Sequence, residues 1–282
     1  MQELDDYISG VKDLPSAPQV LSTLLAALSR TDSDASQVVQ LITYDPSLTA
    51  SVLKTCNSTY FGAATPASGL DEAVQRIGFD QIYRIVASVS GSRLLSPPQK
   101  GYGLATGELW KHSVAAGIAA QCVAEDLGDD PNTIFTAALL HDIGKIVLAG
   151  ALVDKYTKLV HETEASQHSL LEAEKTILGV QHAEIGGRLL AQWRFPDDLV
   201  GGVSFHHQPG DAGPQERLAA FVYLGNMIAH FMGHSYGHQA FAFRGRHEAL
   251  EILGLSPEQL PGFMIATFDR LAAVESLFHS KP

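Results

Sequence analysis

The residues best equipped for chemistry lie between positions 108 and 226. Leu139-Leu140-His141-Asp142-Ile143-Gly144-Lys145 sets an adjacent His-Asp pair at the end of an apolar run, with a lysine one helical turn further on. An imidazole and a carboxylate side by side behind a hydrophobic helix face can share one metal ion, and Asp142 alone has the two oxygens needed to bridge a pair of ions. Glu108 and His112 stand at i and i+4, on one helix face and about 6 Å apart along the axis. They can reach a single cavity, or serve only as an exposed pair that helps the helix. His182 falls in the first turn of a helical segment, and His206-His207 closes another before Pro209, a source of two neutral nitrogen ligands. Asn226 lies among Phe221, Val222, Leu224, Met227 and Ile228, where a buried amide needs a partner. Singly, each has a bland explanation as a helix cap or a hydrogen-bonded core group. The series is what points to a metal centre.

Such a centre needs a rigid frame, and the chain reads as helical throughout. After Leu14-Pro15, the segment Gln19 to Ser29 repeats Val20, Leu21, Leu24, Leu25 and Leu28 at helical spacing, and Asp34 to Gln37 opens a second helix through Ile42. Tyr44-Asp45-Pro46 breaks that helix. Ser47 to Cys56 forms the next, and it runs into Asn57-Ser58-Thr59-Tyr60-Phe61-Gly62, a tight loop or a partner surface. Asp71 to Ile77 and Gln81 to Leu95 complete this half. A Pro- and Gly-rich linker, Ser96 to Gly103, precedes the second half. There, helices are expected from Glu108 to Leu127, Thr133 to Leu140, Val153 to His161, Ser166 to Leu178, Gln181 to Trp193, Leu199 to His207 and Glu216 to Met232. Arg246 to Leu253 and Pro257 to Phe278 close the chain. Strand-like alternation is lacking, so the expected fold is all-α, a two-part helical bundle with residues 1–98, 99–232 and 233–282 as its divisions. His230, His234 and His238 fall at i, i+4 and i+8, which on a continuous helix would line up three imidazoles as a second metal site, but Gly233 and Gly237 interrupt the helix, and the expectation there is an exposed loop.

With 282 residues, 45% of them hydrophobic, the chain has ample material for a core. Thirty-one acidic against nineteen basic residues give a formal charge of -12, which opposes non-specific nucleic-acid binding. Cys56 and Cys122 are far apart and form no CxxC, which fits a reducing compartment. Met1-Gln2-Glu3-Leu4-Asp5-Asp6 lacks the features of a signal peptide, and no apolar run approaches membrane-spanning length, so a cytoplasmic location is expected.

The order Glu108…His112, His141-Asp142-Ile143-Gly144-Lys145, His182, His206-His207 resembles the ligand series of the HD superfamily of metal-dependent phosphohydrolases. The first half, with Leu14-Pro15, Asp45-Pro46, Asn57 to Gly62 and Ala73-Val74-Gln75-Arg76-Ile77-Gly78, resembles the HDOD family, a regulatory branch of HD proteins. The resemblance covers roughly residues 10 to 230. It implies a helical bundle with a divalent-metal site at the centre of its second half, dinuclear and holding Fe, Mn or Zn. His112, His141, Asp142, His182, His206 and His207 would be ligands, Glu108 an additional one and Asp142 the bridge, while Lys145 would contact a substrate phosphate. Two departures are visible. Asn226 stands where an HD hydrolase has a last ligand Asp, and the chain after His207 lacks the Gly-Tyr-Pro signature of the cyclic-dinucleotide enzymes. The imidazoles also need second acceptors, for which Glu184 or backbone carbonyls are the candidates. The resemblance therefore implies a signalling module with a protein partner. The rival expectation is a working phosphohydrolase on a nucleotide or cyclic dinucleotide.

Overall fold

Asp130 and Pro131 begin the helix that ends on the His-Asp pair. The Asp130 carboxylate accepts the Asn132 backbone N–H at 3.0 Å, and Pro131 fills the first helical position, where its missing N–H costs nothing. A cap of this kind contributes about 1 kcal/mol. The computed structural model describes residues 2–11, 39, 42–43, 45–57, 67–166, 168–234 and 247–279. Its helices are Gln2–Ser9 (α1), Pro46–Cys56 (α2), Leu70–Ile77 (α3), Phe79–Leu95 (α4), Glu108–Leu127 (α5), Pro131–Leu140 (α6) and Gly144–Leu152 (α7). They continue with Tyr156–Glu164 (α8), Leu170–Leu178 (α9), His182–Gln192 (α10), Asp197–Ser204 (α11), Glu216–Phe231 (α12), Glu248–Leu253 (α13) and Leu260–His279 (α14). Among the described residues there is no strand, and the fold is all-α as the periodicity implies. The helix expected at Gln19 to Ser29, most of that expected from Asp34 to Ile42, the Leu14-Pro15 pair, the loop from Ser58 to Gly62, and His238 lie outside the described residues.

The chain divides into two compact units, Met1–Ser16 with Ser92–Thr267, and Ala17–Gly91 with Phe268–Pro282. In the second of these α2 packs on α3. The Asp45 carboxylate caps α2 by accepting the Leu48 N–H at 3.0 Å, and the Asn57 amide bonds both the N–H and the carbonyl of Ala67.

The first unit carries Glu108, His112, His141, Asp142, His182, His206 and His207. Its axis is α5, buried along nearly its whole length from Leu109 to Ala124 and packed against α6 and α12. The α5–α12 crossing is close because Gly225 has no side chain: a Cβ there would strike the Ala116 carbonyl oxygen and come within 2.8 Å of the Ala120 Cβ. A second glycine sets the other contact that matters. A Cβ on Gly144 would collide with the His182 carbonyl oxygen and lie 2.7 Å from the Gly186 nitrogen, so glycine lets the start of α7 rest directly on the start of α10.

Several boundaries differ from the expected ones, two of them with a clear local cause. Helix α9 starts at Leu170 rather than Ser166 because Ser169 and Glu172 form a reciprocal cap, Ser169 N–H donating to the Glu172 carboxylate at 2.7 Å. Helix α11 ends at Ser204, and Phe205 to His207 form a turn closed by Gln208 N–H donating to the Phe205 carbonyl at 2.8 Å. Consecutive residues on a helix point about 100° apart. The turn instead brings the His206 and His207 rings to 4.0 Å between centroids. Helix α1 was not foreseen. The Asp5 carboxylate accepts from Arg188 at 2.7 and 2.8 Å and from Gln192 at 2.8 Å, and the Tyr7 hydroxyl donates to the Leu178 carbonyl at 2.9 Å, which ties α1 to α9 and α10.

One amendment to the apolar-run reading is needed. The helical stretch Pro131–Glu164 is long and apolar enough by composition to cross a membrane, with a window of mean hydropathy 1.5. That window is 78% buried inside the unit, so its apolar side chains serve the core.

Candidate metal centre

Helix α6 ends at Leu140, and His141 and Asp142 occupy the tight turn that leads into α7, so both side chains are held by backbone hydrogen-bonded on either side. His141 is fully buried and Asp142 is 1% exposed. Asp142 Oδ2 receives the Lys145 ammonium at 2.7 Å and lies 3.4 Å from His141 Nε2 and 3.7 Å from His112 Nε2. The other oxygen, Oδ1, lies 3.2 Å from His182 Nε2. Two clusters of donor atoms therefore meet at one carboxylate. His112, His141 and Asp142 form the first and His182, His206 and His207 the second, the donor atoms within each lying within 4.8 Å of one another.

The imidazoles are oriented by what holds their far nitrogens. Nδ1–H of His141 donates to the Ala138 carbonyl at 2.6 Å, that of His206 to the Val203 carbonyl at 2.7 Å, and that of His112 to the His234 carbonyl at 2.9 Å. His182 Nδ1 donates to both oxygens of Glu174 at 2.9 Å. In the neutral ring the other nitrogen then carries the lone pair, so four Nε2 atoms turn inward as candidate ligands. Glu174 is itself wholly buried, and it also accepts the His182 backbone N–H at 2.8 Å and the Tyr102 hydroxyl at 2.7 Å. This carboxylate–histidine arrangement is the support that metal-binding histidines use to fix tautomer and direction.

The inward face is short of protons. His182 Nε2 stands 3.0 Å from His207 Nε2 and 3.2 Å from Asp142 Oδ1, so three acceptors surround one point. One proton satisfies this grouping in part, and a metal ion satisfies all three. His141 Nε2, His206 Nε2 and Asp142 Oδ1 are buried without a hydrogen bond, as is Asn226 Oδ1. Buried polar atoms almost always have partners, and a concentration of orphaned ligand atoms around one carboxylate fits a divalent cation.

The titration of these groups agrees. Burial, with the neighbouring histidines, holds His112, His206 and His207 well below the ordinary imidazole range, so these rings are neutral rather than cationic. Burial pushes the Asp142 carboxyl up, but His141 and Lys145 outweigh it and keep the group ionised. Burial lowers His182 as well, yet Glu174 and Asp142 beside it raise it above its usual value. Burial and Glu174 push the Tyr102 hydroxyl well up, so it stays a hydrogen-bond donor.

Of the residues expected at the site, His112, His141, Asp142, His182, His206 and His207 are brought together, and Lys145 joins them on Asp142. Glu108 is not in either cluster. Its carboxylate instead accepts the Ala105 backbone N–H at 2.7 Å, just ahead of α5. Asn226 is 2% exposed on α12 with its carbonyl oxygen unbonded. Glu184 accepts the Gln181 N–H at 2.8 Å as part of the cap of α10; the acceptor behind His182 is Glu174. The exposed loop expected at His230 and His234 is corrected. Gly233 does end the helix, through a left-handed turn at φ 82°, but His230 lies before that break with its ring centroid 4.9 Å from that of His112, and the turn delivers the His234 carbonyl to His112.

The family model for the HDOD domain matches residues 14–209. The chain belongs to the HDOD family. Among solved structures, an HDOD domain protein of unknown function from Geobacter sulfurreducens superposes with a TM-score of 0.74 at 23% identity, covering 99% of this chain and 93% of its own. A candidate phosphohydrolase from Shewanella amazonensis SB2B gives 0.69 at 23% identity, covering 98% and 95%. At such identities these structures show that the HDOD fold is shared. An uncharacterized protein of Treponema pallidum (strain Nichols) is 28% identical over 226 residues, 79% of this chain and 43% of its own. Ribonuclease Y of Alkaliphilus metalliredigens (strain QYMF) is 30% identical over 119 residues, 42% of this chain and 19% of that enzyme. The HDOD chain thus spans less than half the length of the curated relatives it matches.

Proposed function

We propose that this HDOD protein is a cytoplasmic signalling or regulatory protein built around a dinuclear divalent-metal centre. His112 and His141 would hold one ion and His182, His206 and His207 the other, with Asp142 shared between them, and Fe, Mn or Zn would suit the nitrogen-rich set. The observation that carries this reading is Asp142, whose two oxygens face two separate histidine clusters. Divalent ions in such a centre supply Lewis-acid polarisation of a phosphate ester and activate water near neutral pH.

The chain's own residues favour regulation over turnover. Asp142 is the one carboxylate within the two clusters, and Asn226 adds a neutral amide, so the donors neutralise little of the charge of two divalent ions. An anionic ligand such as a phosphate ester or nucleotide completes the balance, and its binding is the signal passed to a protein partner. Lys145 holds Asp142 and is placed to meet the same anion. Both cysteines are buried and unbridged, as suits a reducing compartment.

The second reading, a working phosphohydrolase on a nucleotide or cyclic dinucleotide, is favoured by the likeness of part of the chain to ribonuclease Y. The deciding experiment is an assay of the metal-loaded chain on phosphodiester substrates beside Asp142→Ala. The regulatory reading predicts ligand binding without sustained turnover. Robust hydrolysis that vanishes in Asp142→Ala sinks it.

A further inference from the structure

We infer that His230 is an additional metal ligand at the His112 cluster, so that α12 supplies an imidazole to the centre. This rests on the metal reading above and extends it to a residue outside the expected series. The His230 and His112 ring centroids are 4.9 Å apart with the planes tilted by 54°. Four ring pairs of the centre have a similar spacing, 5.2 Å for His112–His141, 4.9 Å for His141–His206, 5.5 Å for His182–His206 and 5.0 Å for His182–His207, while the adjacent His206 and His207 are closer at 4.0 Å. His230 stands to His112 as the members of the clusters stand to one another.

The fold presents it there for a reason. The close crossing at Gly225 seats α12 on α5 beside Ala116, one turn along from His112. Asn226 and His230 are separated by four residues and share one face of α12. Asn226 is 2% exposed with its carbonyl oxygen unbonded. On a helix that is apolar from Ala219 to Ala229 but for Tyr223 and Asn226, the His230 ring beside His112 is followed back along its own face by a buried amide, more polar groups than packing requires. His230 is not among the three residues whose donor atoms lie within 4.8 Å of one another; it enters by rotating about its side-chain bonds as the ion binds. The first position then has three imidazoles and one carboxylate. That set selects a borderline cation such as Zn²⁺, Fe²⁺ or Co²⁺ over Mg²⁺, which prefers oxygen.

The test is a Co²⁺ titration of the full-length, metal-stripped chain, followed by visible absorption and chelator competition. Wild type, His230→Ala, His230→Gln and His161→Ala are compared, the last removing an exposed histidine of α8. Wild type is expected to take up two Co²⁺. His230→Ala weakens one of the two by roughly 10- to 100-fold or more and alters that ion's absorption, His230→Gln falls between, and His161→Ala matches wild type. An unchanged two-step titration and spectrum in His230→Ala overturns the inference while leaving the metal reading intact. So does a shift in the metal-free unfolding midpoint with unchanged Co²⁺ binding, which makes His230 a packing residue. A wild-type chain that takes up no Co²⁺ overturns the metal reading itself and this inference with it.

Discussion

Replacing Glu174 by Gln tests whether the centre depends on the buried carboxylate behind His182. Glu174 accepts three hydrogen bonds, from the His182 backbone N–H at 2.8 Å, the His182 ring at 2.9 Å and the Tyr102 hydroxyl at 2.7 Å. Glutamine keeps the shape but offers one acceptor oxygen and a donor group. The Tyr102 hydroxyl can rotate to accept; the His182 ring cannot, except by moving its proton to Nε2, the atom needed as ligand. A hydrogen bond to a charged group is worth about 1.5–3 kcal/mol, which corresponds to roughly 10- to 100-fold in affinity, the usual cost of losing such a supporting group. The charge has a second effect of known sign. Glu174 raises His182, so in wild type protons compete with metal up to a higher pH. Glu174→Gln therefore binds metal more weakly at high pH, and the pH below which binding is lost moves down. Zn²⁺ competition titrations from pH 5 to 8.5 read both. Unchanged affinity, or a midpoint that moves up, refutes the reasoning.

Three further expectations follow from the same geometry. Lys145→Met breaks a buried ion pair, so the metal-free protein should lose about 3–5 kcal/mol while metal binds on the order of tenfold tighter, because a cation no longer competes for Asp142; weaker binding in chelator titrations would contradict this. Gly144→Ala forces the starts of α7 and α10 apart against backbone atoms, and should cost about 1–3 kcal/mol in urea unfolding and weaken metal binding together; a neutral substitution would show that the close approach is not needed. The metal-free chain should lose stability as pH falls. His112, His206, His207 and His230 are depressed below their unfolded value of 6.5, so the unfolded chain binds more protons as the pH drops through 6.5. His230 alone, held at about 4, accounts for at most roughly 3 kcal/mol. His182 works in the opposite sense, its share being lost as pH rises through its elevated value. Unfolding in EDTA at pH 7.5 and pH 5 checks the net sign, and greater stability at pH 5 would be the contrary result.

Much of this grouping of side chains was legible because its members sit at local signals: His141-Asp142 at the end of an apolar helix, His182 at a helix start, His206-His207 before Pro209. Backbone carbonyls were expected as supports, and those of Ala138 and Val203 lie three residues from the rings they hold; the other supports were hidden because they act across the chain. Glu174 looks like one polar residue on an amphipathic helix, and its partner Tyr102 is 72 positions away. The His234 carbonyl holds His112 from 122 positions on, and the Asp5–Arg188 pair spans 183. Periodicity carries no information at those separations. His230 was passed over for a different reason. The glycine that suggested a loop does end the helix, but one turn's worth of residues after the histidine is already placed, and the only sign of how closely α12 meets α5 was Gly225, five residues before the histidine.

The most direct measurement is the number of tightly bound transition-metal ions per chain in protein purified without chelator, for wild type and Asp142→Ala. Two per chain in the wild type, falling to one or none when the bridging carboxylate is removed, is the predicted result. Fewer than one per chain in the wild type, after reconstitution with Fe²⁺, Mn²⁺ and Zn²⁺ in turn, would contradict a metal centre joined by Asp142.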